Sequence, residues 1–352
     1  MKQLLVVFTG GTIGSQKQGD GIDVNQSGSY MLIDDYNSSP QKRKDVELHA
    51  IQPLNLLSEN MTTNDWVTLS EAIRGVDLTS FDGLVITHGS DTLAYSAAMI
   101  SYLFAASNIP IVLTASNYPL ADERSNGRRN FTNAIDFIAE AQLPGVFVVY
   151  EDDKGNSLVY LGTRITQSVS FTDQFGSPYG IPYGSMVDGS FKWLEHERNP
   201  KPEDLQTVPA PKFAWEPKTL RLDSSIVYIR PYPGLNYSFY DFGSVRPKAV
   251  LHDLHHSGTA SAIEEGPYSL IQFIARCKEQ GIEVYICPIR DRSDALYSSS
   301  LRLIEAGAVV IEKLSIEAAL TKLMLAYGLY EDKEQAKAFA TQSFLYYEHN
   351  EV

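Results

Sequence analysis

Cysteine is almost absent from this chain: Cys277 and Cys287 are the two thiols in 352 residues. A disulfide framework is therefore excluded, and their spacing fits neither a zinc site nor a redox motif. Cys277 falls in a helical pattern and Cys287 in a strand pattern, and both are expected to be reduced core residues. Positive charge is also scarce, with 29 Lys and Arg against 43 Asp and Glu and a formal net charge of −14. Such a chain repels nucleic acid and anionic membrane surfaces, so neither is expected as a partner. No apolar run approaches the roughly 20 residues of a membrane span. The first such run, Leu4–Phe8, holds five residues. That is too short for a signal-peptide core, and no cleavage pattern follows, so a cytoplasmic location is expected. There is no repeat of solenoid period. The phosphate loop ending in Gly-Lys-Ser/Thr is missing, and G-x-G-x-x-G is not matched because Gly10 and Gly11 are adjacent, which disfavours nucleotide binding.

What is present is an ordinary globular composition, 43% hydrophobic and 20% charged, in a chain long enough for two domains. Apolar runs ("LLVVF", "GLVIT", "IPIVLTAS", "GVFVVYE") alternate with helical patterns ("TNDWVTLSEAIRG", "TLAYSAAMISYLF", "RRNFTNAIDFIAEA"). Thr63 or Asn64 is the expected cap of the first helix. Nearly all-apolar strands alternating with helices predict an α/β fold with a mainly parallel sheet flanked by helices. Residues 15–30, rich in Gly, Ser, Gln and Asp, are expected to form a surface loop. The Pro-rich, charged, aperiodic stretch around 190–220 predicts a linker. Beyond it, "SIVYIRPYPG", "AVLHDLHHSG" and "EVYICPIR" predict strands, and "YSLIQFIARCKEQG" and "SIEAALTKLMLAYG" predict amphipathic helices. The first of these helices is expected to end at Gly281. The domains follow as 1–195, a larger N-terminal α/β domain; 196–221, the linker; and 222–352, a smaller C-terminal α/β domain.

Three polar turns, Thr9–Thr12, Thr87–Thr92 and Thr114–Asn117, each follow an apolar strand. In a parallel sheet they converge on the edge where ligands bind. In "TGGTIGS", Gly10 and Gly11 let the backbone turn tightly and approach a ligand, and Thr12 presents a hydroxyl. A plain strand-to-loop turn explains the same residues. In "THGSDTLAYS", Ser90 and Asp91 stand at a helix start, where a cap is the ordinary reading. A hydroxyl nucleophile needs a neighbour that takes its proton or stabilises its anion, and a helix N-terminus favours an anion. Two hydroxyls and a carboxylate at one edge therefore also fit acyl transfer. His88 is expected to pack behind its turn. His252, Asp253, His255 and His256 follow a strand and enter a Ser-Gly turn rather than one helix face, so no metal is expected.

"TGGTIGS" together with "ITHGSDTLAYSA" resembles the asparaginase family, with its TGGTI and HGTDT-like signatures. The similarity continues through "VLTASNYPLADERSNGRRNFTNAI", "LHDLHHSGTA", "GIEVYICPIR" and "LIEAGAVVIEKLSIEAALTKL", and so covers almost the whole chain. The layout is more similar to the cytoplasmic type I branch. The resemblance implies hydrolysis of the side-chain amide of L-asparagine to L-aspartate and ammonia, without cofactor, by a threonine nucleophile at Thr12. It places Ser90 where the family has its second threonine. Asp91 and the Ser58-Glu59 pair match the grip on the substrate's α-ammonium and α-carboxylate, and the Ala115 carbonyl matches a contact to the amide. Gly11 and Gly89 stand with them in the substrate-binding set. Thr259 falls near a position that a neighbouring subunit contributes, implying a homodimer or homotetramer acting on a small amino-acid amide.

Two departures stand out. The family's loop tyrosine aligns with Ile22, and Tyr30 could substitute for it. The family's buried lysine, partner of the HGTDT hydroxyl, has no counterpart in "LGTRITQSVSFTDQFGSPYG", where Gln167 or Thr166 falls nearest and Arg164 is close by. Arginine does not give up its proton, and glutamine can orient a hydroxyl but cannot act as a base. Alternative readings are an asparaginase-fold protein with weak or lost turnover that binds or senses amino acids, and an amidotransferase-type glutaminase subunit.

Overall fold

The computed structural model describes residues 1–18, 21–24, 28–206, 215, 218–289, 295–342, 345 and 347–349, with backbone alone for 14–18, 21–24 and 28–30. The chain forms two compact units, Met1–Leu220 with Leu345–Tyr347, and Arg221–Phe344 with Glu348–Asn350.

In the N-terminal unit, strands β1 (Lys2–Phe8), β4 (Val46–Ile51), β5 (Gly83–Thr87), β6 (Pro110–Thr114) and β7 (Gly145–Glu151) run parallel in the spatial order β7-β6-β5-β1-β4. The sheet continues antiparallel through β8 (Ser157–Leu161), β9 (Gly184–Val187) and β10 (Ser190–Trp193), giving eight strands. Every residue of β5 and β6 is buried, which explains their unbroken apolar sequences. Helices α1 (Gly28–Ser38), α2 (Thr63–Arg74), α3 (Leu93–Leu103) and α4 (Gly127–Ala141) complete the layers. Helix α4 buries Phe131, Ala134, Ile135 and Ile138, spaced as one helical face, in the same cluster as Leu4, Val6, Val85 and Val112 of the sheet. Each large apolar side chain buried in this way contributes roughly 1.5–3 kcal/mol.

The structure corrects three local expectations. Residues 15–30 are not a plain loop: Ser15–Gln18 (β2) pairs antiparallel with Gly21–Val24 (β3), and α1 begins at Gly28, with 19–20 and 25–27 outside the described residues. Leu32 and Tyr36 of α1 are buried, so the apolar signal lay just beyond the polar stretch. The cap of α2 is Thr62 rather than Thr63 or Asn64. Thr62 is extended, and its N–H donates to Asp65 Oδ2 at 2.8 Å, in a capping box. Within the stretch expected to be a linker, a short helix α5 (Pro202–Leu205) buries Leu205. Trp215 is also buried; its Nε1 donates to the Leu103 carbonyl at 2.9 Å, and the Arg74 guanidinium lies 4.7 Å from its ring centre.

The C-terminal unit is a four-stranded parallel sheet, β11 (Ile226–Ile229), β12 (Ala249–Asp253), β13 (Glu283–Ile289) and β14 (Val309–Glu312), in that spatial order. Its helices are α6 (Leu270–Glu279), α7 (Ser298–Glu305), α8 (Ile316–Leu329) and α9 (Lys333–Gln342). Helix α6 buries Leu270, Phe273, Ile274 and Cys277, the i, i+3, i+4, i+7 face. It ends at Gln280, followed by Gly281 at φ +72°, the left-handed position that glycine takes without steric cost. Cys277 and Cys287 are free and buried, and burial pushes the Cys277 thiol up to about 11.

Candidate active site

Strand register sets the site. Phe8 is level with Thr87, and Thr87 with Thr114, so β1, β5 and β6 release their turns side by side. Hydrogen bonds then stitch the turns together. Thr9 Oγ1 donates to the Thr87 carbonyl at 2.8 Å, and the His88 N–H donates to the Thr114 carbonyl at 2.8 Å. Gly11 N–H donates to the Leu56 carbonyl at 2.9 Å, which fixes the segment leading to Ser58.

The turn after β1 needs its glycines. Gly10 and Gly11 have φ of +97° and +73°, and a Cβ on Gly11 would lie 2.4 Å from the Gly89 nitrogen. A Cβ on Gly89 would in turn lie 2.4 Å from Ser58 Oγ. Three backbone segments, bearing Thr12, Ser90-Asp91 and Ser58-Glu59, thus meet where no side chain fits between them. Thr12 opens a 3-10 turn and is half-buried, anchored by the buried Ile13 beside it. Ser58 is buried and Glu59 exposed. Ser58 Oγ donates to Asp91 Oδ2 at 3.3 Å, and Thr92 Oγ1 donates to the Ser58 carbonyl at 2.9 Å.

The cap reading of Ser90 and Asp91 is not what the helix uses. Helix α3 takes Thr92 as its N-cap residue, and the Thr92 hydroxyl goes to Ser58. The Asp91 carboxylate, exposed, is turned to Ser58.

Ala115 follows β6 and is buried, and its carbonyl accepts from Asn130 Nδ2 at 2.9 Å. One of the two acceptor positions of this carbonyl is therefore already taken. Asn130 Oδ1 also accepts from the Glu151 N–H at 2.8 Å, so this one amide ties the ends of β6 and β7 together. Sequence reasoning missed Asn130. The available signal was a polar residue on the buried stripe of α4, in line with Ala134 and Ile138.

The residues considered in place of the family lysine separate clearly. Arg164 is buried, with Nε donating to the Tyr347 carbonyl at 2.7 Å and Nη1 to the Arg198 carbonyl at 2.5 Å. Thr166 pairs with Gly176 through the backbone. Gln167 is exposed and Nε2 donates to the Tyr95 hydroxyl at 2.9 Å, one turn past Asp91 on α3. Gln167 is thus the side chain brought to the start of α3. A buried lysine is present on α8 of the C-terminal unit, where Lys322 pairs with Glu348 at 2.6 Å. The side chains of Ile22 and Tyr30 lie outside the described residues. Thr259, in the C-terminal unit, accepts at its carbonyl from the His255 N–H at 2.8 Å, and its Oγ1 is 3.2 Å from Ser257 Oγ.

His88 is fully buried behind its turn. Its Nδ1 lies 2.8 Å from the Gly89 carbonyl, and Nε2 has no hydrogen-bond partner among the described residues. Burial pushes it down to about 4, partly opposed by the Gly89 carbonyl. His252, bonded to the Tyr237 hydroxyl at 2.9 Å, is likewise pushed down to about 4 by burial. Between these values and the ordinary 6.5, the unfolded chain binds protons that the native chain refuses. Stability therefore falls as pH drops from 6.5 to 4, by ~3 kcal/mol per histidine. Asp136 is raised to about 6 by burial and runs the opposite way, since the native state keeps its proton where the unfolded state has lost it. It offsets roughly one histidine, so a net loss of ~3 kcal/mol is expected. Urea midpoints at pH 6.5 and 4.5 check this, and His88→Asn should shrink the difference. Equal midpoints would contradict it.

The family model described as "Asparaginase, N-terminal" matches residues 3–199. The chain is 28% identical over 344 residues to the L-asparaginase of Thermococcus kodakarensis, with 95% of each covered. It is 22% identical over 355 residues to a glutamyl-tRNA(Gln) amidotransferase subunit from Pyrococcus abyssi, with 96% of this chain and 74% of that one covered. The crystal structure of L-asparaginase I from Vibrio cholerae matches with a TM-score of 0.76 at 26% identity, over 99% of both chains. The two glycine turns, the parallel sheet that places them and a family match over more than half of the chain agree: the chain belongs to the asparaginase family.

Proposed function

We propose that this chain is an amidohydrolase that converts L-asparagine to L-aspartate and ammonia, with Thr12 as nucleophile. The observation that carries this reading is the close approach of the Gly11 and Gly89 backbones, which sets the turn bearing Thr12 against the one bearing Ser90 and Asp91. The Thr12 Oγ1 forms a bond to the side-chain amide carbon, the C–N bond breaks, and the amide nitrogen leaves as ammonia with the proton that the Thr12 hydroxyl gives up. Water then cleaves the acyl-enzyme. Asp91 and Glu59 hold the α-ammonium, Ser58 binds the α-carboxylate, and Ser90 supplies the second hydroxyl. The Ala115 carbonyl receives the amide N–H at the acceptor position that Asn130 leaves. N–H groups of the Gly10–Thr12 turn and of Ser90 stabilise the oxyanion. Thr259 serves the site of a neighbouring copy in a homodimer or homotetramer. The protein works in the cytoplasm, a location its two free thiols support. None of these steps calls for a metal or cofactor.

A second reading has one observation in its favour: Gln167 holds the position nearest the family lysine, and its amide is committed to Tyr95. It is a family member that binds amino acids with little turnover. An amidotransferase role is less favoured, because a formal charge of −14 opposes tRNA contact. Ammonia release measured on L-asparagine, L-glutamine and their D-isomers decides between them. Release from L-asparagine above the others is expected. No release from any of them, with aspartate still bound, establishes the second reading instead.

A further inference from the structure

Arg164 is buried and takes no direct part in the proposed reaction. Two of its acceptors, the Tyr347 and Arg198 carbonyls, come from distant parts of the N-terminal unit. Arg198 lies in a turn whose neighbour Asn199 donates Nδ2 to the Pro182 and Leu194 carbonyls at 2.9 and 3.1 Å. The Arg198 side chain itself lies 4.1 Å from the Tyr179 ring centre. Tyr347 lies 183 residues from Arg164 in sequence and packs against the core of the unit, with its hydroxyl donating to the Asp204 carbonyl at 2.8 Å. Both acceptors are thus firmly held. A planar guanidinium spanning two fixed carbonyls has little freedom, and Arg supplies two donors at a set angle where Lys supplies a single mobile centre.

What this clamp holds is the short segment that leads to the candidate site. Arg164 N–H closes a turn onto the Leu161 carbonyl at 2.9 Å, directly after β8. Two residues on, Thr166 N–H donates to the Gly176 carbonyl at 2.9 Å and its carbonyl accepts from Gly176 at 3.3 Å. The next residue, Gln167, reaches Tyr95 on α3. Tyr95 lies in the first turn of α3, just after Ser90, Asp91 and the N-cap Thr92, so Gln167 is bonded to the turn that follows those residues.

We propose that Arg164 is a positioning residue: clamped by the Tyr347 and Arg198 carbonyls, it fixes residues 163–167 and, through Gln167 and Tyr95, sets the start of α3 for the reaction. Tyr347, 183 residues further along the chain, is thereby part of the support of the site. The inference rests on the amidohydrolase reading for its kinetic effect, though not for its structural one. A displacement of about 1 Å at a reacting group costs up to ~10²-fold in rate.

The test is a double-mutant cycle on Arg164→Lys and Tyr95→Phe, with kcat and KM for ammonia release from L-asparagine, and amide hydrogen exchange across residues 91–98 in the absence of substrate. Arg164→Lys should lower kcat about 10- to 100-fold. Because both changes act along one path, the double variant should lose no more than the worse single one. Exchange at the first turn of α3 should be faster in Arg164→Lys than in the native chain. Unchanged kcat with unchanged exchange overturns the proposal, as do losses that multiply. If Arg164→Lys does not fold, Arg164→Gln, which keeps a donor for one of the two carbonyls, takes its place in the cycle with Tyr95→Phe. Exchange is read without turnover, so a native chain that releases no ammonia sinks the amidohydrolase reading while the positioning role is still tested.

Discussion

Replacing Gln167 with lysine should leave ammonia release little changed at neutral pH and raise it at alkaline pH, by up to about 10²-fold. The reasoning begins at Ser90. Its hydroxyl stands where the family pairs a threonine with a lysine, but the segment after β8 offers only Arg164, Thr166 and Gln167. Arg164 is clamped by two carbonyls and cannot lose its proton, and Thr166 is tied to Gly176 through its backbone. Gln167 is the remaining side chain, its amide 2.9 Å from the Tyr95 hydroxyl of α3, but an amide cannot act as a base. A lysine there supplies the missing proton acceptor, a role generally worth ~10²–10⁴-fold. The position is exposed, so the new ammonium stays charged at neutral pH. That places the gain at the lower end of the range and ties it to alkaline conditions. The pH–rate profile of Gln167→Lys should therefore gain a rising alkaline limb that the native chain lacks. A profile identical to that of the native chain would mean that Gln167 does not face the reacting groups.

The parts of this structure that could be read from sequence are those whose signal is local. Strands β1, β5 and β6 are short apolar runs, each closed by a polar turn, and alternation with helices forces such strands to run parallel. From that alone, the turns at Thr12, Ser90 and Ala115 must share an edge, and the registers Phe8–Thr87 and Thr87–Thr114 place them there. The glycines were legible as turn formers, but their tighter requirement was not. That Gly11 abuts Gly89, and Gly89 abuts Ser58, depends on three segments up to 78 residues apart, and no local pattern encodes it.

Where chemistry depends on partners distant in sequence, the reading fell short. Asn130 carried no signal of its own in the sequence beyond its spacing with Ala134 and Ile138; its place in the core follows from its bonds to the Ala115 and Glu151 backbones. Arg164 stood out only as a poor replacement for a lysine, whereas its acceptors at 198 and 347 give it another task. The β2–β3 pairing is only four residues long on each side; β2 is polar throughout, and the Ile22, Val24 alternation in β3 is too short to mark a strand. The antiparallel extension through β8–β10 was hidden for a related reason. Ser185 and Lys192, paired across β9 and β10, place polar residues in an edge pair where a continuous apolar run was the signal sought.

The central claim is that Thr12 makes the covalent bond. Removing its hydroxyl should leave the glycine turns, Ser90, Asp91 and Ser58 in place, because among the described residues the contacts that join the three segments are made by Gly11, Gly89, Ser58, Asp91 and Thr92. Binding should survive, while the step that breaks the amide loses its nucleophile and with it on the order of 10³-fold or more in kcat. The direct measurement is ammonia release from L-asparagine by the native protein and by Thr12→Ala, side by side, with aspartate affinity measured on both. The expected result is release by the native chain, none above background from Thr12→Ala, and affinities within a few-fold of each other. Equal release from the two proteins would contradict the assignment and move the nucleophile elsewhere, with Ser90 the first residue to test.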